Sequence, residues 1–171
     1  MLSEREIAHI RALLEGAFSG DPDDAFRATD WQHATGGTHV LLELDGTIVA
    51  HAAVVERVIH VAGRPLRTGY VEAVATAQER QRMGLGTLVM EEVGAVVRAE
   101  YELGALGTGE HGFYERLGWR TWNGPTSVRT PDGEVPTPDE DGYVMVLETP
   151  ATPPLDPMAP ISCDWRTGDA W

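Results

Sequence analysis

Length, composition and charge already restrict what this chain can be. It has 171 residues, of which 42% are apolar, so it is long enough to bury a core within a single domain. Its formal net charge of −14 disfavours binding to nucleic acid and to anionic membranes. The absence of lysine excludes Schiff-base catalysis, and a single cysteine, Cys163, excludes an intrachain disulfide and predicts a buried, inert thiol.

The sequence does not predict a membrane span or an export signal. No apolar run approaches the ~18 residues that a membrane-spanning helix needs. The first residues, Met1–Glu6, form neither the basic nor the apolar segment of a secretory signal. We therefore expect a cytoplasmic protein that does not bind membranes.

The first part of the chain predicts two helices and a β-hairpin. Residues 3–17 begin with a capping box and continue with apolar residues at helical spacing. A short second helix is expected at 24–31. Two apolar strands at 39–44 and 47–56, joined by Asp45-Gly46, predict a hairpin with a two-residue turn.

The hairpin leads into a third strand and a long helix. The second strand continues to Val61, and residues 66–76 return as the third strand after a turn. Helix-forming residues then extend from Gly84 to Glu100. The short apolar segment 103–106 is expected to lie parallel to the third strand, because the helix provides the crossover.

The last third of the chain is rich in proline and predicts mostly loop. Residues 112–119 are expected to form one or two helical turns that end at a glycine before a new strand. A clear strand follows only at 143–148. The tail from Thr149 has too many prolines for regular structure, but its apolar residues predict that it packs on the rest of the protein.

Acidic residues are concentrated in this last region. From Asp132 to Trp171 there are nine acidic residues against one basic residue, Arg166. Such a field attracts cations, which favours a cationic small-molecule partner. A solvated acidic surface that only aids solubility is the alternative.

Gly84 and Gly86 lie between a strand and a helix, where glycine pairs are typical of anion-binding turns. Backbone N–H groups and the positive end of the helix dipole point there toward one position, so we expect an anionic group such as a pyrophosphate. A dinucleotide fingerprint would need a third glycine in place of Val89, and a Walker loop would need a lysine. The sequence therefore excludes both nucleotide-binding motifs.

Two short motifs occur in a fixed order around this turn. The first is Q-x-x-G-x-G at 81–86, after the strand sequence V-E-A-V-A at 71–75, and the second is F-Y-x-x-x-G-W at 113–119. Together they resemble the GNAT superfamily of acetyl-CoA-dependent N-acetyltransferases. The resemblance implies an α/β (α+β) GNAT fold in a single domain, with a mixed sheet of about six to seven strands, mostly antiparallel with a central parallel pair, flanked by helices.

The same resemblance implies acetyl-CoA as the cosubstrate. Backbone N–H groups of the turn would bind its pyrophosphate, and the edge of the third strand would pair with its pantetheine amides as an added strand does. The residues implied are Val74, Ala75, Thr76, Gln81, Arg82, Met83, Gly84, Leu85, Gly86 and Thr87.

Three residues receive catalytic roles from the resemblance. Glu72 is the candidate general base for the amine, and the N–H of Val74 would bind the thioester oxygen. Tyr114 is the candidate general acid for the departing thiolate, and Phe113 is the better candidate for the core. Strand alternation predicts that the side chains of Glu72 and Val74 share a face. The alternatives are a counter-ion role for Glu72 and core packing for Tyr114.

Further segments, among them His51–Val55, Arg67–Glu72 and Cys163–Trp171, are similar to the aminoglycoside 2′-N-acetyltransferases. This similarity covers nearly the whole chain and implies acetylation of an aminoglycoside amine, at the 2′ position, with antibiotic resistance as the result. The substrate-binding residues implied are Asp30, Trp31, Glu72, Thr108, Asp139, Glu140, Asp169 and Trp171, the last through its carboxylate. Asp30, Asp139 and Asp141 could instead cap local turns.

Some expectations concern partners and metals. GNAT enzymes are often dimers, so the resemblance also allows a homodimer. No pair of histidines has the H-x-x-H spacing, so no metal site is expected, and His9, His39 and His60 are expected to have no chemical role.

Two other functions stay open. The chain could be a GNAT enzyme for a polyamine or another cellular amine, or a non-catalytic module that binds CoA or cations. The combination of Glu72 and Tyr114 favours an enzyme, because a binding module needs neither.

Overall fold

The chain forms two compact units in a computed structural model that describes residues 2–20 and 26–171. Unit 1 comprises Met1–Val55 and Val71–Val93, and unit 2 comprises Glu56–Tyr70 and Gly94–Trp171. The single domain expected from the chain length stays a prediction.

The helices begin and end close to the predicted positions, with one exception. Helix α1 spans Glu4–Ala17, and Ser3 caps it: the Ser3 hydroxyl accepts from the Glu6 N–H at 3.3 Å while the Glu6 carboxylate accepts from the Ser3 N–H at 2.7 Å. This capping box confirms the sequence signal. Helix α2 spans Ala28–Ala34 and not 24–31, whose first two residues lie outside the described residues. None of the helices in the described part of the chain is long and apolar enough to cross a membrane.

Strands β1 and β2 form the predicted hairpin, and the residues that pair belong to unit 1. Strand β1 spans Thr38–Leu44, β2 spans Thr47–Val61, and the two pair antiparallel. Asp45 and Gly46 between them both have positive φ, 51° and 78°, which is the backbone that a tight hairpin turn needs.

Strand β3 and helix α3 follow as predicted. Strand β3 spans Arg64–Thr76 after a two-residue turn, and α3 spans Leu85–Glu100. Among the residues of α3 that belong to unit 1, Leu85, Val89, Met90 and Val93 are buried. This apolar stripe recurs at helical spacing, which explains why α3 packs into a core along its length.

Unit 2 includes residues 56–61 of β2 and 64–70 of β3, and the strand order through these parts is β5-β8-β4-β3-β2-β9-β6-β7. Strand β4, Leu103–Gly107, lies parallel to β3, as the crossover through α3 predicts. The short helix α4, His111–Glu115, precedes the remaining strands. These are β5 Arg120–Thr121, β6 Thr126–Thr130, β7 Gly133–Pro136, β8 Val144–Glu148 and β9 Ile161–Asp164.

The mixed sheet confirms the predicted fold class, but the predicted strand count is wrong. Residues 2–20 and 26–171 contain nine strands instead of six to seven, and a second parallel pair, β6 with β9, joins the predicted one. The prolines around β6, β7 and β9 predict loop for these segments. Strand β9 forms in spite of this because β2 and β6 pair with it on both sides and satisfy its backbone N–H and C=O groups.

The tail packs in the core of unit 2. Trp171 is only 6% exposed and clusters with Tyr70, Trp122 and Ile161, while its indole N–H donates to the Thr137 hydroxyl at 3.2 Å. The Cys163 thiol is buried and donates to the Ala170 carbonyl at 3.2 Å. The acidic tail is therefore anchored by its apolar residues.

We expect Trp171→Ala to lower the free energy of unfolding by about 3–5 kcal/mol, because it removes a large buried ring and leaves a cavity. Trp165→Ala in the same tail is the matched control: its ring is 59% exposed, and its loss should cost about 0.5 kcal/mol or less. Urea unfolding of both variants measures the difference, and equal shifts of the midpoint would contradict the anchoring role of Trp171.

Candidate active site

The loop before α3 has the backbone that the glycine motif predicts. Arg82 and Gly84 both have positive φ, 63° and 79°, and residues 81–84 are exposed. The N–H of Leu88 donates to the carbonyl of Gly84 at 3.2 Å, so Gly84 is the last residue before the helix. A loop with such turns aims successive N–H groups into a concave surface, which favours an anion.

The first turn of α3 presents three N–H groups that an α-helix leaves without an internal acceptor, those of Leu85, Gly86 and Thr87. None of the residues in this turn is acidic, so no carboxylate of the turn compensates the positive end of the helix dipole. The predicted cofactor residues thus divide into three consecutive groups of unit 1. Val74, Ala75 and Thr76 end β3, Gln81–Gly84 form the loop, and Leu85–Thr87 open α3.

The strand that carries Glu72 is not regular. Ala73 has φ of +53°, in the left-handed region that costs a residue with a Cβ about 1–2 kcal/mol. Glu72 and Val74, its two neighbours, are both half-buried. This backbone interrupts the alternation of the strand, so the Glu72 and Val74 side chains are not held to one face by strand geometry, contrary to the prediction.

His51 contacts this irregular residue, and His39, which was expected to have no chemical role, contacts His51. His51 is fully buried, and its Nδ1 lies 2.7 Å from the carbonyl oxygen of Ala73. Its Nε2 lies 2.9 Å from Nδ1 of His39. Burial lowers the pKa of His51 to about 4 and also lowers the pKa of His39. The sequence contains a signal for this contact: His51 is a polar residue inside the apolar run 48–55, and buried polar groups are nearly always hydrogen-bonded.

Of the three substrate-binding residues predicted in unit 1, Glu72 lies in β3, and the other two belong to α2. Asp30 Oδ2 accepts from the Arg27 N–H at 2.7 Å, so the capping role that the sequence left open is present. Trp31 is half-buried and packs against His39, with ring centroids 5.8 Å apart. The His39–His51 pair therefore connects α2 with the irregular residue of β3.

Tyr114 in unit 2 is a buried phenol. It is 8% exposed and packs edge-to-face on Phe113 and Trp119. Phe113 is only half-buried, so the expectation that Phe113 is the better core residue was wrong. Burial, with a smaller contribution from the charge of Glu110, raises the pKa of Tyr114 to about 12. The phenol is therefore protonated at neutral pH and can act as a proton donor.

The predicted substrate-binding carboxylates of unit 2 interact electrostatically. Burial raises the pKa of Glu140, and the negative charges of Asp169 and Asp139 raise it further. Asp139 and Asp169 are exposed, whereas Glu140 is half-buried. Like charges held this close repel one another, and a bound cation would relieve the repulsion.

Asp141 has a structural task. Its Oδ1 accepts from both the N–H and the hydroxyl of Thr126, at 2.8 and 2.9 Å. This contact joins Asp141 to a residue 15 positions earlier in the chain, so it holds strand β6 to the segment after the 3-10 turn Pro138–Glu140 and is not a cap of a local turn.

Thr108 and Trp171 lie near each other at the end of β4. The Thr108 N–H donates to the Tyr143 carbonyl at 2.9 Å, and its hydroxyl accepts from the Glu110 N–H at 2.9 Å. A Cβ placed on Gly107 would lie 3.6 Å from the carbonyl carbon of Trp171. Within the described residues, no group of three or more His, Cys, Asp or Glu side chains could hold a metal ion.

Comparison with known proteins gives the context for this geometry. The chain is 45% identical over 165 residues to an aminoglycoside 2′-N-acetyltransferase of Mycolicibacterium fortuitum. The matched region covers 94% of this chain and 83% of that protein. A GNAT family acetyltransferase from Brucella melitensis, solved in complex with acetyl-CoA, superposes with a TM-score of 0.62 at 20% identity and covers 90% of this chain and 88% of that one.

A second solved structure, a probable N-acyltransferase from Enterococcus faecalis, has a TM-score of 0.58 at 16% identity over 71% of this chain. This chain spans about a third of that protein, 31% of its length. At such identities, the two solved structures establish the fold alone. Residues 1–122 match the acetyltransferase (GNAT) domain family, and with the relative at 45% identity this match shows that the chain belongs to the GNAT acetyltransferases.

Proposed function

We propose that this chain transfers the acetyl group of acetyl-CoA to an aminoglycoside, at the 2′-amine, and thereby confers resistance to the antibiotic. The observation that carries the proposal is the 45% identity, over 94% of the chain, to a protein of that activity. The acidic groups of unit 2 support it, because aminoglycosides are polycations and carboxylates in a partly desolvated site bind ammonium groups well.

Acetyl-CoA binds, in this proposal, to the end of β3 and the start of α3. The N–H groups of Arg82–Thr87 hold the pyrophosphate, and Gln81 flanks them. The positive φ values of Arg82 and Gly84 support this assignment, as does the first turn of α3, whose N–H groups have no acceptor within the helix, since both favour an anion. The backbone of Val74, Ala75 and Thr76 pairs with the pantetheine arm.

The reaction is a direct attack of the amine on the thioester. Glu72 takes a proton from the ammonium, directly or through a water molecule, so that a neutral amine can attack. The Val74 N–H donates to the thioester oxygen as negative charge develops on it, and Tyr114 gives its proton to the departing thiolate. Asp30, Trp31, Thr108, Asp139, Glu140, Asp169 and Trp171 bind the aminoglycoside.

The experiment is a thiol-release assay with acetyl-CoA and matched acceptors. Aminoglycosides with a 2′-amine should release thiol, whereas analogues with a 2′-hydroxyl and simple polyamines should release little. Mass spectrometry and NMR of the product then locate the acetyl group. Turnover with polyamines alone would indicate a GNAT enzyme for another cellular amine. No turnover with any amine would indicate a non-catalytic module that binds CoA or cations.

The half-buried Glu140 should matter for the amine and Asp141 for stability. Glu140→Gln removes one charge-assisted hydrogen bond, so we expect the KM for the aminoglycoside to rise about 10-fold or more with kcat nearly unchanged. Asp141→Ala is the control: it leaves the Thr126 N–H without its acceptor and should lower the free energy of unfolding by about 1–3 kcal/mol without a comparable change of KM. Steady-state kinetics and urea unfolding measure both, and a reversed pattern would contradict the assignment.

Two further parts of the proposal concern the cell and the assembly. The enzyme is proposed to act in the cytoplasm, where acetyl-CoA is made, without binding nucleic acid. The homodimer that the family resemblance allows stays a prediction, and the molar mass measured in solution by light scattering tests it.

A further inference from the structure

We propose that His51, held by His39, is a positioning residue for the reacting strand. It binds the carbonyl oxygen of Ala73 and thereby fixes the backbone that carries Glu72 on one side and the Val74 N–H on the other. This inference rests on the roles proposed above for Glu72 and Val74. In it, the histidine pair acts on the backbone of the protein and not on acetyl-CoA or the acceptor.

The backbone at Ala73 is strained. An alanine with φ of +53° inside a strand persists only where its surroundings hold it, because the extended conformation is lower in energy. Relaxation to the extended region would rotate the following peptide and turn the Val74 N–H away from its present direction. A side chain that binds the Ala73 carbonyl opposes this rotation, and His51 Nδ1 lies 2.7 Å from that oxygen.

The hydrogen-bond roles of both histidines follow from this contact. A carbonyl oxygen only accepts, so His51 carries its proton on Nδ1. The Nε2 of the neutral ring is then an acceptor, and the His39 Nδ1 at 2.9 Å must be the donor. The low pKa of His51, caused mainly by burial, keeps the ring neutral at physiological pH. Both rings therefore have a single tautomer, with the proton on Nδ1.

The pair also leads from the reacting strand to the helix that carries Asp30. His39 packs on Trp31 of α2, and all of these residues belong to unit 1. The position of Ala73 is thus determined by side chains on β1, β2 and α2. Core packing alone does not explain these histidines, because an aliphatic side chain would suffice for it. Positioning explains them better, since they hold one strained peptide between two proposed catalytic groups.

Three substitutions at residue 51 separate the two explanations. His51→Asn keeps an amide nitrogen where Nδ1 stands and can still bind the Ala73 carbonyl. His51→Gln places its amide where Nε2 stands and reaches toward His39, and His51→Leu fills space without a donor. His60→Asn, on the same strand, is the control for loss of an imidazole.

We expect His51→Asn and His60→Asn to keep kcat within about 3-fold of the wild type. His51→Gln and His51→Leu should lower kcat about 10- to 100-fold with little change of the aminoglycoside KM, because misplacement by about 1 Å can cost that much. Equal kcat values for His51→Asn, His51→Gln and His51→Leu, whether high or low, would overturn the inference.

Two measurements without turnover keep the test independent of the proposed function. Nitrogen-15 NMR of the wild type should show protonated Nδ1 and unprotonated Nε2 for His51, and exchange of the Val74 amide should be faster in His51→Gln than in His51→Asn. Protonated Nε2, or equal exchange in the two variants, would overturn the inference. If the wild type acetylates no aminoglycoside while both measurements come out as expected, the proposed function fails and the positioning role stands.

Discussion

Glu72→Gln is expected to lower kcat by about 10²–10⁴-fold, the range that general-base assistance provides. The amide keeps the size and part of the polarity of the side chain but cannot accept the proton. The loss should be larger at low pH than at high pH, because raising the pH supplies neutral amine without a base. The pH dependence of kcat for the wild type and the variant measures the effect.

The control for Glu72→Gln is Glu43→Gln, which removes an exposed carboxylate from β1, the strand that pairs with β2 in unit 1. It should leave kcat and both KM values close to those of the wild type. A loss for Glu72→Gln that is the same at every pH would show that the carboxylate only binds the ammonium. The counter-ion alternative would then replace the base.

Tyr114→Phe is expected to lower kcat about 10²-fold or more, because the leaving thiolate loses its proton donor. The phenylalanine ring should keep the edge-to-face packing on Phe113 and Trp119, so the KM values should change little. Residual turnover should persist, since binding two substrates together provides much of the acceleration. An unchanged kcat would make Tyr114 a core residue, the alternative that its 8% exposure leaves open.

The same variant should change how stability depends on pH. The folded protein holds the Tyr114 proton up to about pH 12, whereas the unfolded chain releases it near pH 10.0. The stabilising contribution is therefore complete below pH 10 and is lost as the pH rises toward 12. Urea unfolding should show the wild type losing stability faster than Tyr114→Phe across this interval, and a constant difference between them would contradict a raised pKa.

The sequence predicted the local elements well where their signals are local. The capping box at Ser3 and the Asp45-Gly46 turn are short-range patterns, and the structure has both. Helix α2 is displaced from its predicted range because its start depended on turn residues with several possible interpretations. Strand β9 was missed because its two neighbours, β2 and β6, are distant in the chain and only the folded sheet brings them to it.

The candidate site divides in the same way. The motifs at 81–86 and 113–119 predicted the family, and one family model and a relative at 45% identity confirm it. The different tasks of Asp141 and Glu140 could not be predicted, because the two residues are adjacent in the sequence and both carry a carboxylate. Contact with Thr126 distinguishes Asp141, and half-burial beside other charges distinguishes Glu140.

What the sequence by itself determined is the set of elements and the anion-binding turn, since glycine positions, caps and apolar periodicity act over a few residues. What only the tertiary structure decided is the state of Ala73 and the partners of His51. An alanine in a strand predicts extended backbone, and a histidine in an apolar run predicts no particular partner. The φ of +53° costs about 1–2 kcal/mol locally, and the contact of 2.7 Å offsets a cost of this size, because a buried polar group left without its hydrogen bond costs about 1–3 kcal/mol.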